Sequence, residues 1–137
     1  MLLVLAPLST ALAQEVAGKW KLSDGSAIVE VYQDGDIYNG KIVWLKNPTA
    51  PTGGPAVDKN NPDEKLRNVD VDKIVIVKGL KYDAEDKCWG GAKIYDPTKG
   101  MKVNAEAKFE TADKLKLRGT ILGMGVTLYW TRIKQEK

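Results

Sequence analysis

The chain has 137 residues, a formal net charge of +3, a single cysteine and no histidine. That length suits one domain with a core that needs no disulfide, and the lone Cys88 excludes an intrachain one. Lys and Arg alternate with Asp and Glu and form no basic run, which excludes a nucleic-acid footprint.

The first segment, Met1 to Ala13, is almost wholly apolar, and the chain turns polar at Gln14. Leu2-Leu3-Val4-Leu5-Ala6 reads as the apolar stretch of a leader, and Ala11-Leu12-Ala13 as its cleavage motif. Residues 1–13 are therefore expected to be a signal peptide and 14–137 a single domain. The basic segment expected ahead of Leu2 is absent, so the start is read as either truncated or misassigned. The run falls short of the roughly 20 residues that span a bilayer, so no stable membrane span is expected.

From there the chain reads as strands separated by turns. Asp24-Gly25 and Asp34-Gly35 supply the positive φ of tight hairpins. Further turn signals are Asp83 to Asp86, Asp96-Pro97, Thr111 to Asp113 and Gly123-Met124-Gly125. Between them lie eight predicted strands, at 17–22, 26–33, 36–46, 73–82, 88–95, 101–110, 114–121 and 126–133. In the sixth, Met101, Val103, Ala105, Ala107 and Phe109 share one face and charged or polar residues take the other. The run Ile74-Val75-Ile76-Val77 is apolar on both faces, so its outside is expected to be covered.

Eight strands without crossover helices point to an all-β antiparallel up-and-down sheet. Closing it into a barrel removes its edges and leaves an interior wide enough for side chains or one small ligand. A two-sheet sandwich is the alternative fold. One connection, 47–72, is long and rich in Pro, Asn, Asp and Gly. Within it Asn61-Pro62-Asp63-Glu64 predicts a short helical turn, with Asn61 as N-cap and an end near Asn68. This insertion is expected either to cross a barrel mouth as a lid or to lie passively on the surface.

Two resemblances sharpen the fold. Gly18-Lys19-Trp20 near the start and Thr131-Arg132 near the end resemble the lipocalin pattern. That resemblance implies a lipocalin-like barrel in which Trp20 plugs one end and Arg132 packs over it. Gly40-Lys41-Ile42-Val43-Trp44-Leu45, Asp58, Asn61-Pro62 and Leu66 form the first part of a longer match. Gly79-Leu80, Trp89-Gly90-Gly91-Ala92-Lys93-Ile94-Tyr95-Asp96-Pro97, Leu115 to Gly119 and Trp130-Thr131-Arg132 complete it. Together they resemble the bacterial domain-of-unknown-function family 2147, small exported proteins. The resemblance implies a lipocalin-like fold and a periplasmic or extracellular place in a Gram-negative bacterium, and no activity. The family usually has Lys directly after the glycine at 100, where this chain has Met101.

The candidate residues divide by role. Trp44, Trp89 and Tyr95 are aromatic candidates for a ligand-lining wall, against the alternative of plain packing. Phe109, Leu117 and Leu128 join them as inward apolar candidates. Gly18, Trp20, Asp58, Asn61, Trp130 and Arg132 are assigned structural roles, with Asp58 and Asn61 pinning the long loop. Gly90-Gly91 predicts a bulge. The acids of the loop are too poorly spaced for a calcium site, with Pro62 where a ligand should stand.

Without histidine the commonest general base and metal ligand are missing, and neither Ser23 nor Ser26 has a nucleophile's setting. The leading expectation is a non-enzymatic exported protein, without metal or cofactor, that binds a small apolar or amphipathic ligand in its barrel. The alternatives are a ligand-free envelope interaction protein, which could self-associate as a homodimer, and a hydrolase built on paired carboxylates.

Overall fold

The computed structural model describes residues 15–121 and 124–134. The expected leader at 1–13, and Gly123 of the expected last turn, lie outside the described residues. The eight strands are β1 (Gly18–Leu22), β2 (Ala27–Asp34), β3 (Ile37–Leu45), β4 (Val75–Asp83), β5 (Cys88–Asp96), β6 (Met101–Thr111), β7 (Lys114–Ile121) and β8 (Met124–Arg132). Each pairs antiparallel with the next, and β8 returns to β1, so the sheet closes as a barrel instead of splitting into a sandwich.

The two-residue period of a strand sends alternate side chains inward. On β7 and β8 the inward pairs are Leu115 with Trp130, Leu117 with Leu128, and Gly119 with Val126. On β6 the inward face continues through Phe109, Ala107 and Ala105, opposite Leu115, Leu117 and Gly119. The strands break this period in places. The β2–β3 register shifts between Ile28 and Val29, leaving Val43 as an extra residue. A second shift falls between Trp89 and Ala92, where Gly91 takes a φ of +74°. The Gly90-Gly91 bulge expected from the sequence stands there.

One end of the barrel is filled. Trp20 is wholly buried, and its indole donates to the Val16 carbonyl at 2.9 Å. Phe109 meets it edge-on at 5.9 Å, and the Arg132 guanidinium lies 4.3 Å from its ring centroid. Leu115, Leu117, Trp130 and Trp89 complete this floor.

The short helical turn expected after Asn61 is present within the long connection. The connection carries two short 3-10 turns, Glu64–Leu66 and Val71–Lys73. The N-cap of the first is Asp63, whose carboxylate accepts from the Lys65 amide. Asn61, the expected cap, accepts from the Asp63 amide and donates its side-chain N–H to Asp58 instead. From Asp58 to Leu66 the insertion lies against the outside of β4 and β5, so this part of it does not cross the mouth. Its Asn60 donates to the carbonyls of Pro97 and Thr98 in the β5–β6 hairpin. Gly100 permits that approach, because a Cβ there would overlap the Asn60 carbonyl. The same packing covers Ile76, which explains why this strand reads as apolar on both faces.

Candidate functional site

The end of the barrel opposite Trp20 is where inward apolar groups lose their cover. Along the inward face of β8, Trp130 is 2% exposed, Leu128 48% and Val126 56%. The cross-strand partner of Leu128, Leu117, is buried. The cause lies in strand length. β1 has five residues and β8 nine, and their pairing stops at Leu22 with Trp130. Beyond it Ser23 turns away after donating its amide to the Tyr129 carbonyl at 3.0 Å. Leu128 and Val126 therefore rise above the end of β1 with no strand on that side to cover them. They stand on the same strand face as buried Trp130 and Leu115.

The floor of the barrel holds one unmet polar group. The indole N–H of Trp130 is buried and has no hydrogen-bond partner among the described residues. Leaving such a donor unpaired costs about 1–3 kcal/mol.

The expected lining residues fall into three groups. Trp89, Phe109 and Leu117 face inward and belong to the packed floor, where Trp89 meets Tyr38 and Tyr82 with ring centroids 5.0 Å apart. Leu128 faces inward at the mouth. Trp44 and Tyr95 face outward, which corrects their expected place in the barrel wall. Trp44 pairs with Ile28 on the outer face and is 44% exposed. The bulge at Val43 inserts one residue after the inward Ile42 and turns Trp44 to the outside. Tyr95 is turned out in the same way beyond Gly91, with Ala92 and Ile94 inward. Val126 and Met101, not nominated from the sequence, also leave apolar surface uncovered. For Met101 the signal was present, since its alternation already placed it on the apolar face.

The residues given structural roles take defined partners. Gly18 has a φ of +132°, and a Cβ on it would stand 3.1 Å from Arg132 Nη1, so glycine lets the guanidinium approach. Arg132 donates to the carbonyls of Ala17 and Glu15 at 3.2 and 2.7 Å and lies 3.7 Å from Asp113. Asp58 is 2% exposed, and its carboxylate accepts from Tyr95 Oη at 2.7 Å and from Asn61 Nδ2 at 2.8 Å. Burial first, then the Asp58 hydrogen bond and charge, push the Tyr95 phenol up to about 12.

Reactive chemistry has little footing in this arrangement. Cys88 is a free, half-buried thiol, and burial followed by nearby Glu106, Asp86 and Asp83 raises its pKa, so it is not an activated nucleophile. Among the described residues no three His, Cys, Asp or Glu side chains converge on a metal position, and no helix is long and apolar enough to cross a membrane.

A family model described as "Uncharacterized protein conserved in bacteria (DUF2147)" matches residues 18–132. No curated protein matches the chain. Among solved structures the chain is similar to protein HP1028 of the human pathogen Helicobacter pylori, which belongs to the lipocalin family. The identity is 21%, the match covers 88% of this chain and 84% of that one, and the TM-score is 0.73. This likeness shows the fold, a lipocalin-like barrel.

Proposed function

The chain belongs to the DUF2147 family of bacterial proteins, and from that premise we propose that it is a non-enzymatic binding protein for one small apolar or amphipathic molecule, held at the open end of the barrel. The observation that carries this reading is the exposure of inward-facing Leu128 and Val126, 48% and 56%, beside buried Leu117 and Trp130. Exposed apolar groups gain by being covered, at about 25 cal/mol per Å² removed from water.

Native mass spectrometry of protein purified without detergent, then offered a long-chain alcohol, tests the reading. One bound molecule per chain is expected. A Leu128→Asp variant should bind about tenfold more weakly, while its folding stability moves by less than about 1 kcal/mol. Bare protein throughout, or equal uptake by the variant, contradicts the reading.

Exposed apolar side chains on β4 would favour the envelope interaction reading; Ile76 there is buried and Val75 is half-buried under the overhanging insertion.

Export is part of the same proposal and is supported by Ala11-Leu12-Ala13 after an apolar run. Expressed in a Gram-negative host, the protein should be recovered from the periplasm with Gln14 as its amino terminus. Recovery from the cytoplasm with Met1 in place overturns export.

A further inference from the structure

A second concavity lies on the outside of the barrel, where the insertion overhangs β4, β5 and β6. It encloses about 510 Å³, within the range of roughly 300–1,000 Å³ that small-molecule sites occupy. Its floor is apolar, with Leu66 from the 3-10 turn and Ile74 and Ile76 beside β4 and on it. Lys78, Lys93 and Lys102 line the same cleft.

The strand register explains why the lysines gather. Lys78 and Lys93 are direct cross-strand partners on the outer face of β4 and β5. Lys102 is the partner of Tyr95, two residues along β5 from Lys93. Like charges set directly opposite each other repel. Among the described residues none of the three lysines has a carboxylate within ion-pair distance; Lys93 donates only to the neutral Asn104 side chain. The one acid lining the cleft, Asp63, is engaged in capping the Lys65 amide. The cleft also has a fixed back wall, because Tyr95 is tied to buried Asp58.

We propose that this outer cleft is a binding site, separate from the barrel mouth, for an anionic amphiphile. A carboxylate or phosphate head sits among Lys78, Lys93 and Lys102, and the apolar part lies over Leu66, Ile74 and Ile76. The head answers three lysines that share a cleft with a single acid, Asp63, and the apolar part covers a floor too hydrophobic for a free inorganic anion.

The test is an amide NMR titration of the whole protein with dodecanoate, dodecyl phosphate, dodecyl maltoside and inorganic phosphate, each below its micelle concentration. Dodecanoate and dodecyl phosphate are expected to shift the amides of Leu66, Lys78, Lys93 and Lys102, and the two heads distinguish a carboxylate from a phosphate ligand. The non-ionic maltoside and inorganic phosphate should leave those amides unmoved. Replacing the three lysines with glutamine (K78Q, K93Q, K102Q) is expected to weaken dodecanoate binding about tenfold, and added salt should weaken it further. These are exposed surface positions, so the variant folds, and its amide spectrum reports that directly. Equal shifts from the maltoside, shifts confined to Val126 and Leu128, unchanged affinity in the lysine variant, or no binding by either anion overturns the proposal. Shifts confined to Val126 and Leu128 overturn the outer site alone and leave the barrel-mouth reading standing.

Discussion

Replacing Trp20 with alanine is expected to cost about 3–5 kcal/mol of folding stability, the range for emptying a fully buried tryptophan site. Three contacts disappear together. The indole is completely buried and donates to the Val16 carbonyl, Phe109 packs edge-on against it, and Arg132 stacks over its face. The loss also strands the Arg132 guanidinium, whose place depends on that ring as much as on the carbonyls of Ala17 and Glu15. For a domain of this size the melting temperature should fall by about 10–20 °C. Trp44→Ala is the control. Its side chain sits on the outer surface, so the cost should stay within about 1 kcal/mol. Thermal or urea unfolding of both variants decides the matter. Equal costs would mean that Trp20 does not close the barrel.

The second large effect is expected at Asp58. Its carboxylate is the buried hub that accepts from Tyr95 and Asn61 and so ties the insertion to β5. Asp58→Ala leaves the buried Tyr95 hydroxyl and the half-buried Asn61 amide without a partner, at about 1–3 kcal/mol for the buried one, and a loss of about 2–4 kcal/mol follows. The pair also carries a pH signature. The folded state holds the Tyr95 proton more tightly than the unfolded chain does, because the phenol is pushed up from 10.0 to about 12. The folded state therefore binds more protons in that window, and stability falls as pH rises through it. The Tyr95 contribution is whole below pH 10.0 and is lost by about 12. Urea unfolding across that range should show the decline in the native chain and a shallower one in Tyr95→Phe. Identical slopes would remove Tyr95 as its source.

Much of the barrel was legible because hairpin turns and strict alternation are local signals. The β6 face from Met101 to Phe109 and the Asp-Gly turns needed no tertiary knowledge. The covered outside of β4 was also readable, since Ile74 to Val77 left no wet face. The site was harder to read, for one physical reason. A bulge inserts a residue and exchanges inside for outside along the rest of the strand. Simple alternation from inward Ile42 puts Trp44 inside, and Val43 reverses it. Beyond Gly91 the same reversal takes Tyr95 outside. Asn61 was misjudged differently. Asn61 and Asp63 are both good caps, and only the buried carboxylate of Asp58 decides which of them caps the turn. The outer cleft was not legible at all, because Lys78, Lys93 and Lys102 come together only through strand register.

The proposed ligand sits beside Leu128 and Val126, between the inward faces of the strands. Intermolecular nuclear Overhauser contacts from a non-ionic long-chain alcohol to methyl-labelled protein test this placement most directly. Contacts to the Leu128 and Val126 methyls are expected. Contacts only to methyls on the outer surface would contradict it.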